Sequence, residues 1–164
     1  LSVFAAGNSG SGENTHNPYA QIPWGMSVGA GDTNGNLVEF SSRGLEYESG
    51  DFTMPDGTKW TYDNEVTIVA PGRYVISTRS STNFVANGNQ ADSVIEPAFL
   101  PFYNRISGTS MATPHAAGVV ALVMEANPEL SIDEVKQVIK ESATNMPGYE
   151  AWEVGAGYIN ARAA

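Results

Sequence analysis

The stretch "GTSMATPH", Gly108 to His115, opens a run that continues "AAGVVALVMEA" to Ala126. Small residues crowd Ser110, and small or apolar ones dominate from there until Asn127-Pro128 stops the run. Pro114 falls early, in the first turn or so, where a missing N–H costs little. The spacing predicts a helix from Ser110 to Ala126, apolar on nearly all sides and therefore buried. Whatever precedes it must supply the layer that buries it.

Working outward, the upstream chain supplies short apolar runs separated by turn residues. "SVFAA" (2–6), "GMSVGA" (25–30), "LVEFSSRG" (37–44), "VTIVAPG" (66–72) and "YVISTR" (74–79) read as strands. The Gly-, Ser-, Asn- and Pro-rich "SGSGENTHNPYAQIP" between the first two is a loop. Residues 45–65 and 80–102 show no clear period and read as surface insertions. Downstream, "SIDEVKQVIKESA" (131–143) is an amphipathic helix. Ser131 and Glu134 form its capping box, Ile132, Val135, Val138 and Ile139 its core stripe, and Lys136 and Lys140 fall on the solvent side. "WEVGAGYINARAA" reads as a turn into a short terminal helix. Short strands followed by buried helices predict an α/β domain with a mostly parallel sheet.

Composition narrows the function. The 164 residues suit one domain with a real core. No apolar run approaches membrane-spanning length, and no signal-like segment opens the chain. The first residues lie inside a strand-like run, so the chain is expected to be a fragment or the second chain of a nicked protein. A formal charge of −10 argues against nucleic acid as a partner, because phosphate neutralisation needs clustered Lys and Arg. The acidity is read first as a solubility device and second as cation binding. The absence of cysteine removes disulfides, thiol nucleophiles and cysteine zinc sites together.

The candidate chemistry centres on Ser110. A serine hydroxyl attacks only when a base takes its proton, and a helix N-terminus favours an oxyanion beside it. His115 fails as that base, since five residues along a helix turn about 500° and leave it facing away. It reads instead as a packed, hydrogen-bonded core histidine. His16, the other histidine, lies in the polar loop with no third group to orient it. No Asp-His pair is visible.

The serine stretch "GTSMATPHAAGVVALV" resembles the serine motif of the subtilisin-like serine proteases, the subtilases. "AAGNSG" (5–10) resembles their oxyanion-hole motif, and "FSSRG" (40–44), "VAPG" (69–72) and "GAGYIN" (155–160) follow in the family's order. The resemblance implies a partial three-layer subtilisin-like fold with a buried serine helix. It implies Ser110 as nucleophile and Asn8 as side-chain donor to the oxyanion, with the Ser110 backbone N–H beside it and Thr109 as a supporting neighbour. The family's Asp-His-Ser chain order would put the other triad members upstream of Leu1. Residues 1–164 are thus expected to be the C-terminal half of a catalytic domain, partnered by a complementary N-terminal chain carrying Asp and His, with a propeptide or inhibitor as further partners.

The resemblance also implies a polypeptide substrate, with Ala5, Ala6, Gly7 and Thr109 near it and a roomy pocket for a large apolar side chain. By a gapped register His16 or Asn17 falls near the pocket floor, although His16 reads first as a solvated loop residue. No cofactor is required for the chemistry. Structural calcium is a family habit, and the oxygen-rich stretches 32–36, 47–51 and 56–65 could serve, none with EF-hand spacing. The resemblance implies an extracellular location. The alternative is a catalytically inert fragment, or a pseudoprotease-type structural or binding module.

Overall fold

The computed structural model describes residues 1–80, 82 and 94–164. Residues 81 and 83–93 of the insertion expected at 80–102 lie outside the described residues. Three parallel strands form the central sheet: β1 (Ser2–Ala5), β2 (Gly25–Gly31) and β5 (Ile68–Pro71), in the order β1-β2-β5. Strand β2 is buried along its whole length, which is why it reads as an unbroken run of small and apolar residues.

Alternation along these strands sorts the core into two sides. Met26, Val28 and Ala30 of β2 and Ile68 and Ala70 of β5 face helix α1 (Thr109–Ala126) through Ala112, Ala116, Val119, Val120 and Val123. Helix α2 (Ile132–Glu141) joins this cluster with Val135 and Ile139. On the other side, Val69 packs with Leu37, Met146 and Val154, the last from the short helix α3 (Ala151–Val154). The layers are helix, sheet and C-terminal segment, a mixed α/β arrangement as the sequence predicts. Tyr158 bridges to Val69, so the outer side of β5 is partly covered. Strand β1 pairs only with β2 among the described residues.

Two antiparallel ribbons complete the fold. One is β3 (Ser49–Thr53) with β4 (Lys59–Asp63), inside the segment read as a surface insertion with no clear period. Its turn is built on Pro55-Asp56-Gly57, with the Asp56 carboxylate accepting the Thr58 N–H at 2.9 Å. Trp24 packs against both Phe52 and Trp60, an aromatic contact that only the folded chain brings together. The other ribbon pairs β6 (Val75–Thr78) with β7 (Tyr103–Ile106), the latter not anticipated from the sequence.

Several further expectations need correction. Residues 37–44 are not a strand: Leu37 bridges Gly31 and Val38 donates to Ala30 O at the end of β2, and after a turn at residues 39–40 the backbone bonds to loops. Phe40 O accepts from Gly10, Arg43 O from Thr15, and Gly44 O from Asn14. Helix α1 is buried on one face only. Pro114, His115, Ala117, Gly118, Ala121, Leu122 and Met124 are exposed, because no described element packs over that side. In α2, Ile132 is exposed whereas Lys136 is half-buried and donates to Pro23 O at 2.9 Å. The C-terminal helix precedes Gly155 rather than ending the chain.

Candidate active site

Three chain segments converge at the N-terminus of α1. The first is the turn that follows β1. Gly7 has φ +112°, a left-handed-side conformation open to glycine, and it swings the chain so that Asn8 faces α1. The second is the end of β5. Gly72 O accepts the Gly108 N–H at 2.8 Å and docks the serine loop onto the sheet. A Cβ at Gly72 would stand 2.7 Å from the Ala30 Cβ and 2.9 Å from Gly108 O, so only glycine permits this approach. The third is α1 itself.

The N-cap of α1 is Gly108, which has no side chain to cap the helix. Asn8 takes over that role. Its Oδ1 accepts the Thr109 N–H at 2.9 Å and the Thr109 hydroxyl at 3.0 Å. The Thr109 hydroxyl in turn accepts the Gly7 N–H at 3.3 Å. Because both Thr109 groups donate, the Asn8 oxygen must face them and its amide nitrogen is turned the other way. That nitrogen lies beside Gly108, 3.5 Å from where a side chain at 108 would begin. Gly108 therefore leaves the donor uncovered.

Ser110 follows, solvent-exposed, in the first turn of α1. Pro114 has no N–H to return to the Ser110 carbonyl. The first turn of α1 contains no acidic residue, whereas that of α2 carries Asp133 and Glu134. The positive end of the α1 dipole is thus uncompensated at the serine, an environment that favours developing negative charge. The arrangement offers an exposed hydroxyl at a helix N-terminus, with an amide nitrogen beside the preceding Gly108.

Thr109 is buried, and its hydroxyl is committed to Asn8 and Gly7, so it holds the donor in place. Ala6 is fully buried, Ala5 partly buried and Gly7 partly exposed. Asn17 sits against this wall, donating to Ala5 O from its side chain at 3.3 Å and to Ala6 O from its backbone at 2.7 Å.

Both histidines differ from expectation. His115 is exposed, its Nδ1 on the Met111 carbonyl at 2.8 Å one turn back, because among the described residues no layer covers the face of α1 that carries it. His16 is buried, not solvated. Asn64 donates from its amide to Asn14 and Glu48, so its Oδ1 accepts from His16 Nδ1 at 3.0 Å. His16 Nε2 is then the acceptor for the Ser27 hydroxyl at 2.5 Å. Burial pushes the His16 pKa below its ordinary value, against a smaller upward pull from the Asn64 bond. This histidine pins the loop to β2.

Within the stretches offered for calcium, Asp32 serves a turn and Asp51 a cross-strand pair. The Asp32 carboxylate accepts from the Asn34 and Asn36 backbone N–H groups at 2.8 and 3.0 Å, which holds its pKa below the usual range. Asp51 accepts from the Thr61 hydroxyl at 2.6 Å. Among the described residues no three His, Cys, Asp or Glu side chains gather as a metal cage would need.

The "FSSRG" stretch had no role assigned from sequence. Ser41 Oγ accepts the Ala30 N–H at 3.0 Å, and Ser42 Oγ accepts the Ser9 N–H at 2.9 Å. Arg43 pairs with Glu153 of α3. The order of the motifs was the available signal; that Ser42 of this stretch would meet the Asn8 turn was not legible in it.

Comparison with known proteins agrees with this architecture. Residues 1–158 match the subtilase family. Over 164 residues the chain is 34% identical to subtilisin DY of Bacillus licheniformis, covering 99% of this chain and 45% of that protein. It is 37% identical to alkaline elastase YaB of a Bacillus species, covering all of this chain and 32% of the relative. The chain thus spans less than half the length of these relatives. Among solved structures, Sphericase superposes with a TM-score of 0.66 at 28% identity, over 94% of this chain and 46% of that one. The self-cleaved protease domain of PatA gives 0.63 at 27%, over 98% and 47%.

Proposed function

This chain belongs to the subtilase family, and on that premise we propose that it supplies the nucleophile and oxyanion donor of a serine endopeptidase. The observation that carries the reading is the orientation of Asn8. Its oxygen is held by Thr109, which leaves the amide N–H groups directed beside Gly108 at the mouth of the serine helix.

In this reading Ser110 Oγ attacks the scissile carbonyl of a polypeptide while a base removes its proton. The carbonyl oxygen becomes an oxyanion that accepts from Asn8 Nδ2 and the Ser110 N–H. Collapse expels the amine, protonated by the same base, and leaves an acyl-enzyme on Ser110 that water then hydrolyses. Neither histidine of this chain suits the base: one is exposed on the helix flank and the other is locked under the loop. Residues 1–164 would form the C-terminal half of the catalytic domain, and a complementary N-terminal portion would contribute the His and Asp. That portion would cover the exposed face of α1. A polypeptide substrate lies against the partly exposed Ala5 and Gly7, with the fully buried Ala6 behind them. An extracellular location belongs to the same proposal and follows the family's habit.

The test is labelling of the assembled protein with a fluorophosphonate, followed by mass analysis of this chain. A single adduct on Ser110, abolished by Ser110→Ala, is expected. No adduct in the presence of the complementary portion would overturn the reading in favour of an inert scaffold.

A further inference from the structure

The donor that Asn8 offers is only as well aimed as the turn that carries it, and the turn is gripped by one buried residue. Ser42 is fully buried and bonds on both sides of Asn8. Its backbone N–H donates to Gly7 O at 2.9 Å, and its Oγ accepts the Ser9 N–H at 2.9 Å. The two surfaces touch: a Cβ at Gly7 would lie 2.7 Å from the Ser42 Oγ. Ser41, the preceding residue, is tied the opposite way to Ala30 at the end of β2. Gly10 donates to Phe40 O at 3.0 Å, which closes the far side of the turn. The grip on the Asn8 turn is therefore anchored in the central sheet and not in a surface loop.

We propose that Ser42 is a positioning residue for the oxyanion donor. It fixes the backbone before and after Asn8 while Thr109 fixes the side chain. Ser42 contacts neither substrate nor nucleophile in this role. The inference rests on the reading of Asn8 as the oxyanion donor. A donor stabilises the transition state in proportion to how little it must reorganise. Losing the grip should therefore lower kcat while leaving ground-state binding, and hence KM, nearly unchanged.

The experiment uses the assembled protease, with active sites counted by fluorophosphonate titration so that misfolded molecules drop out. For Ser42→Ala, kcat per titrated site on a peptide substrate is expected to fall by roughly tenfold, with KM within about twofold. In the Asn8→Ala background the same change should have almost no further effect, because the group being positioned is gone. Unchanged kcat per site, or losses that multiply independently, would overturn the proposal. A purely structural role would lower the titre and the melting temperature but leave kcat per site intact. Should Ser42→Ala leave too few sites to titrate, Ser42→Cys keeps a weaker acceptor, and its loss must also vanish without Asn8. If the unsubstituted protein shows no Ser110 labelling, the site reading itself fails. If it labels and Asn8→Ala is impaired while Ser42 variants are normal, only this inference falls.

Discussion

Asn8 caps a helix whose first residue, Thr109, lies 101 positions further along the chain. Helices expose unsatisfied N–H groups at their start, and the N-cap side chain ordinarily takes one of them. Gly108 cannot, so the acceptor comes from the turn after β1. One amide then has two tasks. Its oxygen completes the helix, and its nitrogen is left beside Gly108, where the proposed reading makes it the oxyanion donor. On that reading fold and chemistry share a single side chain.

That double role separates two substitutions at Asn8. Asn8→Asp keeps an acceptor for Thr109 and is expected to keep the melting temperature, but it removes the donor and adds a negative charge. Asn8→Ala loses both functions and about 1 kcal/mol of helix capping. Turnover should fall at least 10²–10³-fold in each, a magnitude that belongs to the corresponding donor of subtilisin itself. Asp should be the worse catalyst in the more stable protein. Calorimetry paired with titrated kcat measurements checks the crossing, and parallel losses of stability and rate would contradict it.

Thr109→Val tests the second support. It preserves shape but deletes the hydroxyl that donates to Asn8 and accepts from Gly7. A loss of about 1–2 kcal/mol in stability is expected, the size of a hydrogen bond with a buried partner left unmade. Turnover should drop roughly tenfold with KM little changed. Full activity in Thr109→Val would show that Asn8 holds its orientation without the hydroxyl.

Gly72→Ala should disturb the site without touching it. The added methyl meets Ala30 and Gly108 O, neither of which is the far end of a flexible side chain. Relief requires the serine loop to shift, which moves Ser110 relative to Asn8. Overpacking of this kind costs typically about 1–3 kcal/mol. The variant is expected to melt lower and to titrate with fluorophosphonate more slowly, and an unaltered labelling rate would argue against rigid docking.

His16 makes stability depend on pH. Its folded pKa is depressed by burial, so the unfolded chain binds a proton more readily than the folded one. The contribution is fully present above the ordinary histidine value of about 6.5 and is lost as pH falls below it. Protonation would place a hydrogen on Nε2, where the Ser27 hydroxyl now donates. Glu48, two bonds away through Asn64, is the nearby carboxylate in this network. Thermal unfolding from pH 7 to pH 5 should fall more steeply for the native sequence than for His16→Gln. Equal slopes would remove the histidine from the account.

Particular residues show what could be read in advance. The run from Ser110 to Ala126 is helical and β2 is a buried strand, because apolar composition and stop signals act locally. The Ser131–Glu134 capping box forms as its spacing requires, with Ser131 Oγ accepting the Glu134 N–H at 3.3 Å and the Glu134 carboxylate accepting the Ser131 N–H at 2.8 Å. The β3–β4 ribbon escaped notice because what holds it, Trp60 and Phe52 against Trp24, is a contact between segments far apart in sequence.

The sequence by itself determined the α/β class, the serine helix and the motifs in their order. Those follow from periodicity and helix geometry, which need only neighbours along the chain. Tertiary structure decided that Asn8 faces α1, that Ser42 grips its turn, that His16 is buried and that one side of the serine helix stays open. Each depends on groups that approach only after β1, β2 and β5 have stacked in parallel and brought the ends of distant segments to one edge.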